Sequence, residues 1–166
     1  LTPAIRTRSE RFAVAAMYAS TASLYCGFVW DKYYSVAAPT VKKYDPDHMY
    51  IGTRFLTKSN KSEWVYRFSA QYLDCMTINW YRDWEPDTDA LYGISRNGDM
   101  PFIVTEFYTK AGDATISSEV GSPKLRNNSG AGMYVATQTD RADFYETFTI
   151  RMLESANCVG WLWFHY

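Results

Sequence analysis

The feature that most constrains this chain is a four-fold alternation of short apolar runs with longer helical patterns. The runs are residues 48–55 (HMYIGTRF), 73–80 (LDCMTINW), 100–106 (MPFIVTE) and 158–164 (CVGWLWF). Around them, residues 10–44, 62–72, 88–96 and 139–156 read as helices, most clearly where Val29, Tyr33, Val36, Thr40 and Tyr44, or Phe144, Phe148 and Met152, recur at spacings of three and four. Pro39 should bend or interrupt the first helix, Lys42 and Lys43 suit its end, and Asp45-Pro46 stops it, so a strand–helix unit begins near Asp47. Asn60 or Ser62 is a cap for the second helix, Gly93 weakens the third, and Asn97-Gly98 turns the chain after it. The runs are apolar on both faces, which argues for parallel strands covered by helices and hence an α/β fold in one unit, residues 1–166, with no second domain. An open doubly wound sheet and part of a closed barrel both fit. No Gly-rich phosphate loop follows any run: Gly52-Thr53-Arg54 and Gly160-Trp161-Leu162 lack a dinucleotide or P-loop spacing, which argues against a nucleotide-binding unit.

With 166 residues the chain can bury one core, yet it falls short of the roughly 250 residues of a complete (β/α)8 barrel. A formal net charge of -1 gives no attraction to phosphate backbones or anionic lipid, so nucleic acid and membrane are not expected partners. No apolar stretch is long enough to span a bilayer. The aromatic share, 17% with 14 Tyr and 6 Trp, permits a carbohydrate site, because such rings stack on sugar C–H groups while their polar edges reach a partner; on composition alone an aromatic-rich core is the preferred account. Cys26, Cys75 and Cys158 have no metal-type spacing and read as buried thiols. His48 and His165 lack paired ligands at metal spacing, so neither a metal nor an organic cofactor is expected.

In parallel α/β folds functional side chains gather at the C-terminal ends of the strands. Those ends carry Arg54, then Asn79-Trp80-Tyr81, then Glu106-Phe107-Tyr108, then Trp163-Phe164-His165-Tyr166. A carboxylate, an arginine, an amide, a histidine and several rings on one face are what a sugar-cleaving site requires. Glu106 follows a buried run directly, which is unfavourable for a carboxylate unless donors surround it. Its alternative is a strand-end Glu that turns to solvent or pairs with Arg54. The connection from Phe107 to Gln138 far exceeds the usual 2 to about 6 residues of a βα loop and reads as an ordered lid.

Residues 44–55 (YDPDHMYIGTRF), 101–108 (PFIVTEFY) and 159–166 (VGWLWFHY) resemble the agarase-like glycoside hydrolases, of the retaining (β/α)8 clan. The matched segments fall in order and cover nearly the whole chain as strands five to eight of a barrel, with helices on the outer face. The resemblance implies that Glu106, ending strand seven, is the nucleophile that forms a glycosyl-enzyme, and that Tyr81 donates a hydrogen bond to it, with Asn79 as the alternative. It implies Trp163 as the platform under the sugar in the cleaved subsite, with Trp161 deeper in the barrel interior. Arg54 and His165 would line the same pocket, or else form an ion pair or pack at the rim. Trp80 and Tyr108 join the rings around the substrate. A similar Gly-Ala-Gly stretch in related sequences implies a substrate-contacting loop, with Arg126 and Asn127 as the contacts. The substrate implied is an agarose-like polysaccharide or oligosaccharide, and the location secreted or periplasmic.

The same resemblance marks a gap. The clan's general acid/base is a Glu after an Asn at the end of strand four, and no Asn-Glu pair occurs in this chain. A retaining mechanism needs two carboxyl groups about 5 to 5.5 Å apart, and Glu63, Glu85 and Glu119 stand in poor contexts. The missing partner is therefore an N-terminal half of the barrel, in the same longer chain or in another. The start without Met and the stop at Tyr166 favour a fragment. The alternatives are a half that assembles with another, or a non-catalytic module that binds sugar through Trp80, Trp84, Trp161 and Trp163.

Overall fold

The computed structural model describes residues 8–56, 62–113, 115, 116, 125, 126 and 130–164. The chain runs α1 (Arg8–Tyr44), β1 (Phe55–Leu56), α2 (Glu63–Ser69), β2 (Met76–Asn79), α3 (Thr88–Gly98) and β3 (Phe102–Phe107). It continues through β4 (Thr109–Ala111), β5 (Thr115–Ile116), β6 (Leu125–Arg126), β7 (Met133–Val135), α4 (Gln138–Leu153) and β8 (Cys158–Trp163). β1, β2, β3 and β8 form one sheet in that order, every pair parallel. The expected mixed α/β organisation with a parallel sheet is therefore present.

One buried cluster joins all four helices to this sheet. Tyr34 of α1, Val65 and Tyr66 of α2, Leu91 and Ile94 of α3, and Phe144, Phe148 and Met152 of α4 pack against Phe55, Met76, Ile78, Phe102 and Val104. Since side chains alternate across a strand, Met76 and Ile78 share one face, as do Phe102 and Val104, and the helices meet that face. Phe107 lies at the centre of the aromatic part, 4.7 Å from Phe148 and nearly parallel to it.

Several elements differ from expectation for local reasons. The first run is a strand only at Phe55 and Leu56. Upstream, the backbone groups of Tyr50 are taken by Asp74, whose carboxylate accepts from the Tyr50 N–H at 2.7 Å and whose own N–H donates to the Tyr50 carbonyl at 3.0 Å. Gly52 takes φ +64°, and the Thr53 N–H donates to the Tyr34 hydroxyl. These turn-like groups leave no ladder to form. α1 runs through Pro39 without interruption, where Thr40 Oγ1 donates to the Val36 carbonyl at 2.6 Å. α3 includes Asn97 and Gly98, and Asp99 takes the left-handed capping position at φ 46°. Cys26 is exposed on α1, a correction to the buried thiol expected there, while Cys75 is buried and Cys158 intermediate. Among the described residues, the 107–138 connection carries four short strands. β4 pairs in parallel with β7, which ties its two ends together, and β5 pairs with β6.

Candidate active site

Glu106 owes its direction to an irregularity in the sheet. Between β2 and β3 the ladder pairs Ile78 with Val104 and then Asn79 with Glu106, skipping Thr105. Between β3 and β8 it pairs Val104 with Trp161 and then Phe107 with Trp163. An extra residue of this kind bends a strand and re-aims its side chains. Strict alternation after Phe102 and Val104 would send Glu106 into the helix-side core. Instead the next fully buried member is Phe107, and Thr105 and Glu106 are both only partly buried.

The carboxylate is gripped at both oxygens. Arg54 Nη1 donates to Glu106 Oε1 and the Tyr81 hydroxyl donates to Oε2, each at 2.5 Å. The Glu106 side chain is 12% exposed and that of Arg54 57%, so the pair sits at the edge of the structure with the anion on the inner side. Burial pushes the Tyr81 phenol above its ordinary range, and its bond to Glu106 and that residue's charge push the same way, against an opposing influence of Arg54. Tyr81 therefore remains a neutral donor. Its neighbour Arg82 has φ 78°, a left-handed conformation uncommon for a residue with a side chain, at the point where the chain leaves β2.

The remaining expected residues divide. Asn79 is buried beside Glu106 in the ladder, and its Oδ1 accepts from Thr105 Oγ1 at 2.8 Å. Four expectations need correction. Trp80 is 1% exposed, stands against Phe148, and gives its indole N–H to Asp83 at 2.8 Å, so it has no surface for a ligand. Tyr108 is 3% exposed and lies behind Tyr81, ring centroids 5.8 Å apart and nearly perpendicular. Trp163 contacts Phe107, Phe144 and Tyr145 and carries the Arg141 guanidinium 5.1 Å from its ring centre. Trp161 donates to the Tyr145 hydroxyl. Sharing parity, both tryptophans meet α4, Trp161 instead of packing in the barrel interior, and Trp163 also lies 6.4 Å from Tyr108 between ring centroids. Arg126 lies in β6 with only its backbone described. Asn127, Glu119 and His165 lie outside the described residues.

Phe164 is the ring that sequence reasoning passed over. It is 48% exposed and lies 6.2 Å from Tyr81 and 5.6 Å from Tyr108 between centroids. The signal was its parity, opposite to that of the two tryptophans. Thr105, which holds Asn79, was also missed, because a bulge leaves no mark in composition. Among the described residues no group of three His, Cys, Asp or Glu could hold a metal ion, and no helix is long and apolar enough to cross a membrane. The arrangement is an oriented carboxylate with a neutral phenolic donor on one oxygen, a mostly exposed cation on the other, and an exposed ring alongside. Such a group can act as a nucleophile or stabilise a developing positive charge.

No protein-family model matches the chain. Its sequence is 31% identical to Beta-agarase A of Vibrio sp. (strain JT0107) over 160 residues, which is 92% of this chain and 14% of that protein. It is 26% identical to Beta-agarase B of the same strain, over 81% of this chain and 13% of that protein. Among solved structures, BpGH50 matches with a TM-score of 0.76 at 35% identity, covering 87% of this chain and 30% of that one. An exo-beta-agarase matches with a TM-score of 0.70 at 24% identity, over 87% and 17%, a likeness of fold. The chain thus spans a small part of the length of the relatives it matches. Over nearly its whole length the chain is similar to a segment of the agarase-like glycoside hydrolases, and it carries an arginine- and tyrosine-held glutamate at the end of a parallel strand.

Proposed function

We propose that this chain is the strand-five-to-eight part of a (β/α)8 barrel and carries the nucleophile of a retaining glycoside hydrolase that cleaves an agarose-like galactan. The observation that carries this reading is Glu106, held at both carboxylate oxygens by Tyr81 and Arg54 at the C-terminal end of β3. One oxygen attacks the anomeric carbon, the bond to the leaving oxygen breaks, and a covalent glycosyl-enzyme forms, which water later hydrolyses. Tyr81 keeps its bond to the other oxygen and fixes the direction of attack. Arg54, whose side chain is mostly exposed, is the partner free to move as sugar enters. Phe164 offers the sugar face that was first assigned to Trp163.

The acid that protonates the leaving group belongs, on this reading, to barrel strands outside this chain. Support comes from surfaces that want a neighbour. β1 and β8 stand at the two sheet edges, and Val29, Tyr33 and Val36 of α1 are each about half exposed, at 50%, 49% and 57%. An N-terminal half of the barrel would cover them.

The test is Glu106→Gln in the full-length protein with agarose as substrate. The amide is nearly isosteric and a far poorer nucleophile, so kcat is expected to fall by about three orders of magnitude or more while oligosaccharide affinity persists. Retention of more than about a tenth of wild-type kcat, an effect below roughly 1.4 kcal/mol, would rule Glu106 out as the nucleophile.

A further inference from the structure

The Gly130-Ala131-Gly132 stretch is built around Tyr108. A side-chain carbon at Gly132 would lie 2.7 Å from the Tyr108 carbonyl oxygen and 2.7 and 2.8 Å from two of its ring atoms. The carbonyl belongs to the backbone and cannot swing away. At Gly130, where φ is +86°, the same atom would lie 2.1 Å from the Tyr108 hydroxyl. Lys110 Nζ donates to the Gly130 carbonyl at 3.0 Å, and the β4–β7 ladder, with Thr109 opposite Met133, closes the loop immediately beyond. The glycines are therefore held in a tight fit that leaves no room for a side chain.

Behind this clamp the contacts continue to the carboxylate. The Tyr108 ring meets Tyr81 nearly perpendicularly, and Tyr81 donates to Glu106. We infer that Gly130, Gly132 and Tyr108 are positioning residues for the reaction at Glu106: the loop fixes the Tyr108 ring, and that ring sets the direction of the Tyr81 hydroxyl. The inference rests on the reading of Glu106 as the nucleophile. It gives the glycines a role that sugar contact does not explain, since they face Tyr108.

The experiment is a set of variants in the full-length protein, assayed on agarose. Gly132→Ala and Tyr108→Leu are expected to lower kcat about tenfold or more with KM changed by less than about twofold. Tyr108→Phe, which keeps the ring, should remain within about threefold of wild type. In a Tyr81→Phe background the further effect of Gly132→Ala should shrink below about twofold, because both changes act through the same hydroxyl. Multiplicative effects in the double variant, a wild-type kcat for Tyr108→Leu, or a raised KM at constant kcat would overturn the inference. Should Gly132→Ala fail to fold, the Tyr108→Leu and Tyr108→Phe pair decides alone. Glu106→Gln assayed alongside separates the two ideas: activity retained there removes the nucleophile reading, and activity lost there with additive loop variants removes only the positioning role.

Discussion

Glu106 shows how far residue-level reasoning reaches. That a carboxylate follows a buried run is plain from residues 101–106, and so is the chance that Arg54 pairs with it. What alternation could not supply is the skipped Thr105, which separates Glu106 from the face that holds Phe102 and Val104. Tyr81 was placed by resemblance, and the geometry puts its hydroxyl on the second oxygen. Tyr81→Phe in the full-length protein removes one hydrogen bond to a charged group, about 1.5 to 3 kcal/mol, and is expected to lower kcat by roughly tenfold to a hundredfold at nearly constant KM. The tryptophans teach the reverse lesson. Parity says that Trp161 and Trp163 share a face, but it is silent on which, and the contacts with Tyr145 and Phe144 decide for the helix side. Trp163→Ala is therefore expected to lower stability by about 2 to 3 kcal/mol, below the value for a fully buried ring, and to leave oligosaccharide affinity within about twofold. Thermal melts and oligosaccharide titration of the Glu106→Gln protein check both, and a loss of affinity without a loss of stability would restore the sugar platform.

At the scale of elements, helices were more legible than strands. α3 and α4 lie close to their expected bounds because their stripes and ends are encoded locally. Asp87 accepts from the Asp89 and Ala90 N–H groups, and Thr137 and Asp140 form a reciprocal capping box. Thr137→Ala is expected to cost about 1 kcal/mol in a denaturant melt, with activity at saturating substrate unchanged. β1 was less legible because its length depends on non-local partners. Tyr50 and Thr53 bond to Asp74 and Tyr34, which lie 24 and 19 residues away in sequence, and no window over 48–55 contains them. The turn also relies on Gly52, where a side-chain carbon would meet Leu73 at 2.6 Å and the Tyr34 hydroxyl at 2.9 Å in a left-handed conformation. Gly52→Ala combines strain with overpacking and should destabilise by more than about 1 kcal/mol.

For the whole molecule, the α/β plan was legible from alternation alone, while the long connection was not, because its ladder joins residues more than twenty positions apart. The titration of the site is a property of the assembled fold. Tyr81 has a folded-state value above that of a free tyrosine, so the stability tied to its protonated form is complete below about pH 10 and is lost only as pH rises through the higher folded value. A tyrosinate absorbance titration, wild type minus Tyr81→Phe, should show the missing phenol ionising later than free tyrosine; ionisation at or below about pH 10 would contradict the grip on Glu106. The parallel pairing of β4 with β7 has one more consequence. It brings the two legs of the 107–138 connection together immediately after β3 and immediately before α4, so the stretch between Gly112 and Gly130 is anchored at its base whatever its length. Lengthening such a loop twofold adds only about 0.6 kcal/mol of closure entropy. Tips of different size and sequence can thus be exchanged on a constant base, which makes this stretch the natural place for evolution or engineering to vary the chain without disturbing the parallel sheet.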